Sequence, residues 1–108
     1  MTDYETLYPE LKYFFSAYFH SDWVDIYDWH GGNPSFQTVV FDFKNESKVT
    51  LDKTTQELKQ FLKNSHSLSE AELREIVVHK LGANIYPPGR GLTYRQWLQA
   101  VLEILKET

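Results

Sequence analysis

The sequence predicts an all-α fold: a single compact domain of about five helices spanning residues 1–108. Three observations carry this expectation. Apolar residues recur at i, i+3, i+4 and i+7 in successive segments. Ser or Thr followed three residues later by Glu or Gln marks helix starts. Gly and Pro cluster between the periodic stretches, where they break regular structure. A hydrophobic share of 42 % with 24 % charged residues is ordinary for a domain of 108 residues, which can bury one core without staples.

The first periodic segment follows Pro9, which suits a first helical turn because its missing N–H costs nothing there. Leu11, Phe14, Phe15 and Tyr18 form its stripe, while Tyr13 and Phe19 lie off it, so the helix is covered on more than one face. His20 to His30 mixes three aspartates with three large aromatics and has no clean period. It reads as a structured loop or short helical turn, closed by the Gly31-Gly32-Asn33-Pro34 break.

Residues 34–46 read two ways. Thr38 to Phe43 has strand composition, yet Phe36, Val39, Val40 and Phe43 fit a helical stripe, and Asn33 as N-cap with Pro34 at the first position favours the helix. Thr54-Thr55-Gln56-Glu57 reads as a capping box opening a helix through Leu58, Phe61 and Leu62, or one that starts earlier, near Thr50. Ser67-Leu68-Ser69-Glu70 is a second box, followed by Leu73, Ile76, Val77 and Leu81, with Gly82 at the expected left-handed cap. Pro87-Pro88-Gly89-Arg90-Gly91 forms a stiff turn. Thr93-Tyr94-Arg95-Gln96 is the third box, and Trp97, Leu98, Val101, Leu102 and Leu105 continue its apolar face.

The chain has no cysteine, which removes disulfides, thiol catalysis and Cys-based zinc sites. No apolar run approaches the roughly 18 residues of a spanning helix, and the acidic N-terminus lacks a secretory apolar core. A cytoplasmic protein is therefore expected. The net charge of -4 is unevenly spread: residues 1–46 carry eight acids against Lys12 and Lys44, together with 13 of the 17 aromatics. Such a half repels phosphate backbones and attracts a basic partner, so no nucleic-acid or membrane partner is expected.

Few constellations suggest catalysis. No Gly-x-Ser-x-Gly elbow is present. His20, Asp22, Asp25, Asp28 and His30 are the best metal candidate and would support a small metal-dependent enzyme, but their spacing matches neither a His-Glu-x-x-His helix nor an EF-hand loop. Surface capping and hydrogen bonding are the plainer roles for these groups. Gly89-Arg90-Gly91 with Arg95 could cradle a phosphate at a helix N-terminus, and Arg90, Arg95 and Trp97 could serve a nucleic-acid adaptor. The turn lacks the preceding strand of a phosphate-binding loop, and the pI near 5.5 opposes such a surface. Asp22, Trp23, Asp25, Tyr27, Asp28 and Trp29 instead combine aromatic anchors with carboxylates in eight residues, the make-up of a docking site for a basic protein.

Two segments resemble a known family. Leu7-Tyr8-Pro9-Glu10-Leu11 with Ala17-Tyr18-Phe19-His20-Ser21-Asp22-Trp23 looks like the opening motif of contact-dependent growth inhibition (CDI) immunity proteins, the small all-helical CdiI family. Leu81-Gly82 before an aromatic, Pro-rich turn, then Gly91-Leu92-Thr93-Tyr94-Arg95-Gln96-Trp97-Leu98, is similar to the family's C-terminal stretch. The resemblance spans nearly the whole chain. It implies an all-α, non-enzymatic cytoplasmic protein without a cofactor, and tips residues 34–46 toward helix. The implied partner is the C-terminal toxin domain of a cognate CDI exoprotein, basic and commonly a ribonuclease or other nuclease, whose cleft the immunity protein covers. The family pattern has a shorter polar link after its Asp-Trp pair, whereas Val24 to Asn33 here is longer and aromatic. Toxin-binding contacts are therefore expected at Asp25, Tyr27, Asp28 and Trp29, flanked by Asp42 and Glu46. Tyr18, Phe19, Asp22, Trp23, Tyr94 and Trp97 are expected to hold the fold.

Overall fold

Residues 94–106, the most strongly amphipathic of the described helices, become the helix on which several others pack. The computed structural model describes residues 3–20, 23 and 35–107. Its elements are α1 (Tyr4–Leu7), α2 (Pro9–Tyr18), α3 (Phe36–Glu46), α4 (Lys48–Asn64), α5 (Glu70–Arg74), which continues as a π-helical segment (Glu75–Lys80), a 3-10 turn (Pro87–Arg90) and α6 (Tyr94–Lys106). Among the described residues there are six α-helices and no strand, so the fold is all-α, with the one-turn α1 added to the expected five. No helix among them is long and apolar enough to cross a membrane.

Helix α6 packs on α3, α4, α5 and the 3-10 turn. Its buried face is Tyr94, Trp97, Leu98, Val101, Ile104 and Leu105. Trp97 is fully enclosed, with the rings of Phe15 and Phe19 each 5.4 Å from its centroid and Phe36 at 6.0 Å. A second ring group joins it: Phe14 lies 4.2 Å from Phe43, and Tyr18 meets Phe43 edge-on at 5.3 Å. These spacings suit offset and edge-to-face aromatic pairs, which add to plain area burial. Many of the N-terminal aromatics are thus spent on the core.

Residues 36–43 settle as helix because Phe36, Val39, Val40 and Phe43 all face that core on a 3.6-residue period. Asn33 and Pro34 lie outside the described residues, and the N-cap of α3 is Ser35, whose hydroxyl accepts from the Thr38 N–H at 3.4 Å. The Thr54 capping box is overturned. Helix α4 begins at Lys48, nearer the earlier start, and Thr54 and Thr55 are buried inside it, with the Thr55 hydroxyl donating to the Leu51 carbonyl at 2.8 Å. The pattern failed because both threonines are buried within the helix and not at its end, and there the Thr55 hydroxyl back-bonds along the helix. The second box is shifted by two residues: Ser69 caps α5 with Glu72 answering, so Ser67 is not the cap. Thr93 and Gln96 form the third box as expected. Gly82 takes φ 81°, and a Cβ there would stand 3.1 Å from the Cβ of Ser16 on α2. Left-handed backbone and close helix approach both demand glycine at this position.

Several helix ends are satisfied by other helices. The Leu11 N–H in the first turn of α2 donates to Glu57 Oε1 of α4 at 3.0 Å. At the start of α6, the N–H groups of Tyr94 and Arg95 donate to the Glu70 carboxylate at 2.6 and 3.2 Å. Lys44 Nζ donates to the Ile104 and Glu107 carbonyls at the end of α6 (2.7 and 2.6 Å). Arg95 Nη2 donates to the Ser65 and Leu68 carbonyls just past α4 (2.8 and 3.1 Å). Glu70 and Lys44 pair a charge with the backbone groups α6 leaves open and with the matching pole of its dipole, Arg95 does so at the Ser65 cap of α4 and reaches on to Leu68, and Glu57 supplies an acceptor to α2.

These contacts predict that Arg95→Ala and Glu70→Ala each lower unfolding free energy by roughly 1–3 kcal/mol, the worth of charged hydrogen bonds to backbone. Glu75→Ala, which removes only an exposed pairing with His79, should change it little. Urea titrations followed by circular dichroism decide the ranking.

Glu57 supplies a pH-dependent test. Burial, the largest influence, pushes its carboxyl above the ordinary value of 4.5, while the hydrogen bonds from the α2 backbone pull the other way. A raised folded value means that the unfolded chain releases the proton first, so stability declines as pH rises through the ordinary glutamate range and stays lower above it. Glu57→Gln keeps an oxygen for the Leu11 N–H and removes the charge. Its melting temperature relative to the parent should therefore rise between about pH 4 and about pH 7. A fall over that interval would show that the charge is favoured there.

Candidate protein-binding surface

The segment singled out by sequence is anchored at both ends in the aromatic core. Before it, the Trp23 ring meets Phe19 at 5.3 Å, and its indole N–H donates to the Asn84 carbonyl at 2.8 Å. The Asn84 N–H donates in turn to the Phe19 carbonyl at 2.6 Å. After it, Phe36 is buried against Trp97. Asp22, Asp25, Tyr27, Asp28, Trp29 and His30 lie outside the described residues, so the expected contacts and most of the metal candidate belong to that segment. Among the described residues no group of three His, Asp or Glu side chains is placed to hold a metal ion.

The other expected residues are placed as follows. Asp42 is half-buried on α3, and Glu46 is exposed at the end of the same helix. Phe19, Trp23, Tyr94 and Trp97 are buried and Tyr18 is half-buried. The Tyr94 hydroxyl donates to the Ile85 carbonyl at 2.9 Å, and burial pushes its pKa above 10.0, so it is a fixed donor and not an acid-base group. Trp97 is enclosed and Arg95 is committed to the Ser65 and Leu68 carbonyls, which speaks further against a phosphate cradle or nucleic-acid contact through these two residues. The Arg90 side chain lies outside what the structure describes.

A surface not singled out in the sequence lies where α2 faces the α3–α4 corner. Pro9, Glu10 and Tyr13 form one wall of an open groove of about 440 Å³, and Glu46, Val49 and Thr50 form the other. A neighbouring groove shares Pro9 and Glu10 and continues along α4 past Asp52, Lys53 and Gln56. Tyr13 is 54 % exposed and Val49 is 95 % exposed. The cover expected over a second face of α2 is present at Phe19, which is buried, and absent at Tyr13, which stays open. Val49 gave no signal, because its exposure depends on how α3 and α4 meet at Ser47. Two further grooves lie elsewhere: one beside Trp23 is lined by Arg74, Asn84 and Tyr86, and one beside Phe41 by Lys44 and Lys48. The Phe41 ring lies 5.6 Å beneath the Lys44 ammonium, which α6 already holds.

The arrangement offers acids and exposed apolar groups on a rigid helical frame, the chemistry of a binding protein. A family model described as CdiI immunity protein matches residues 7–105. No curated protein and no solved structure matches the chain. The family match runs from the Leu7-Tyr8-Pro9 motif through α6, so it includes every helix of the core beyond α1, and the chain belongs to the CdiI immunity protein family.

Proposed function

We propose that this immunity protein neutralises the C-terminal toxin domain of a cognate CDI exoprotein by covering a basic nuclease cleft. Binding alone, without catalysis or a cofactor, performs the inhibition, inside the cytoplasm of the protected cell. Asp25, Tyr27, Asp28 and Trp29 make the central contacts, with Asp42 and Glu46 at the flank.

The observation that carries this reading is the excess of six acids in residues 1–46 of a chain that belongs to an immunity family. A ribonuclease or other nuclease gathers cations to hold a phosphate backbone, and carboxylates aligned with those cations compete for them. Steering by opposite charge also speeds encounter, which suits an inhibitor that must meet its toxin before the toxin meets nucleic acid. The anchoring of Trp23 and Phe36 supports the loop assignment, since a recognition segment fixed at both ends loses less freedom on binding.

Replacing Asp25 and Asp28 together by lysine should weaken toxin-domain binding by about 100-fold or more, the scale of reversing charges in a desolvated contact. Thermal stability should change little. Calorimetric titration with the toxin domain encoded beside this gene reads the first and a melting curve the second. Unchanged affinity would remove the loop from the interface.

A further inference from the structure

We infer that the groove between α2 and the α3–α4 corner is a second docking site, taking a lysine- or arginine-bearing segment of the toxin domain with an apolar residue beside the cation. This rests on the toxin-binding reading above but uses a surface that shares only the flanking Glu46 with it. Val49 stands in the first turn of α4 and is almost wholly in water, although it follows a helix end whose Phe43 is fully buried. Tyr13 faces the same groove from α2 with half its surface open. Large apolar side chains set opposite each other and left in water mark an interaction surface more than a scattered exposed residue does.

The charge at the rim chooses the occupant. Among the described residues lining the two joined grooves, Glu10, Glu46, Asp52 and Glu57 are acidic and Lys53 is basic. Glu57 is tied to the α2 backbone, which leaves Glu10, Glu46 and Asp52 to face an incoming group. A second copy of this chain docked symmetrically would set those carboxylates against their own counterparts. A nucleic-acid backbone would meet the same repulsion. A long cationic side chain fits better. Its aliphatic stem lies along the Tyr13 ring, its head reaches the Glu10 and Glu46 carboxylates, and its apolar neighbour covers Val49.

The test uses substitutions that leave both the fold contacts and the loop untouched: Tyr13→Ala with Val49→Ser, and separately Asp52→Lys. Binding of the neighbouring-gene toxin domain is titrated for each at low and moderate salt, with Glu103→Lys on α6 as a charge-matched control. The apolar pair should lose about 10-fold or more in affinity. Asp52→Lys should lose several-fold, with a shallower dependence on salt, and Glu103→Lys should match the parent. Melting curves establish that each variant is folded. If the parent binds and every variant binds within about twofold of it, the groove is not a docking site and the toxin-binding reading stands. If the parent itself does not bind that domain, the function assigned above fails and this inference fails with it. A parent that is dimeric by light scattering and becomes monomeric in Tyr13→Ala with Val49→Ser would assign the groove to a second copy instead.

Discussion

Open helix ends are the central constraint on this fold, and the protein meets it with charges supplied from other helices. Helix α2 begins beneath Glu57 of α4, and α6 begins on the carboxylate of Glu70. The other end of α6 lies under the Lys44 ammonium, and the chain leaving α4 is held by Arg95. Every such contact joins elements more than twenty residues apart in sequence. It therefore forms only when both helices are in place, whereas a local cap such as Thr93 stabilises its helix in isolation. The apolar faces decide which helices meet, and a displaced register would leave these half-buried backbone groups without partners.

This constraint also reshapes the electrostatics. Counted along the chain, residues 1–46 hold eight acids and two bases. In three dimensions Lys44 is drawn to the end of α6 and Lys12 lies 3.6 Å from Glu5. The two bases of that half are thus occupied within the molecule. Glu10 and Glu46 meanwhile line one groove with exposed Tyr13 and Val49, and Asp52 lines the groove beside it. The acidity available to a partner is concentrated on particular faces to a degree that the net charge of -4 conceals.

What the sequence revealed was local and periodic. The stripe of α6, its Thr93–Gln96 box and the left-handed Gly82 each depend on residues within a few positions of one another, and each stands in the structure. The Thr54 box matched the same pattern and was wrong, because the motif does not say whether its hydroxyl faces a helix end or the core. The Ser67–Glu70 match was two residues early because Ser69 repeats the signal with Glu72, and packing selects the second. The one-turn α1 lacks an amphipathic stripe to announce it. The π-helical run from Glu75 to Lys80, closed by the Leu81 N–H on the Ile76 carbonyl, depends on how that helix meets its neighbours. The Tyr13–Val49 groove was illegible for the same reason: its walls are 36 positions apart and meet only after α3 and α4 have turned at Ser47.

The packed interior and the open surface of this molecule are under different constraints. Trp97, Phe15, Phe19 and Phe36 interlock in the interior, where a change of one ring disturbs several neighbours. Residues in such a cluster are poorly suited to distinguishing one toxin from another, because altering them alters the fold. Glu46, at the exposed end of α3, escapes that coupling. Tyr13 and Val49 escape it as well, being outside the packed faces of their helices. These positions can therefore change while the capped, aromatic frame beneath stays constant.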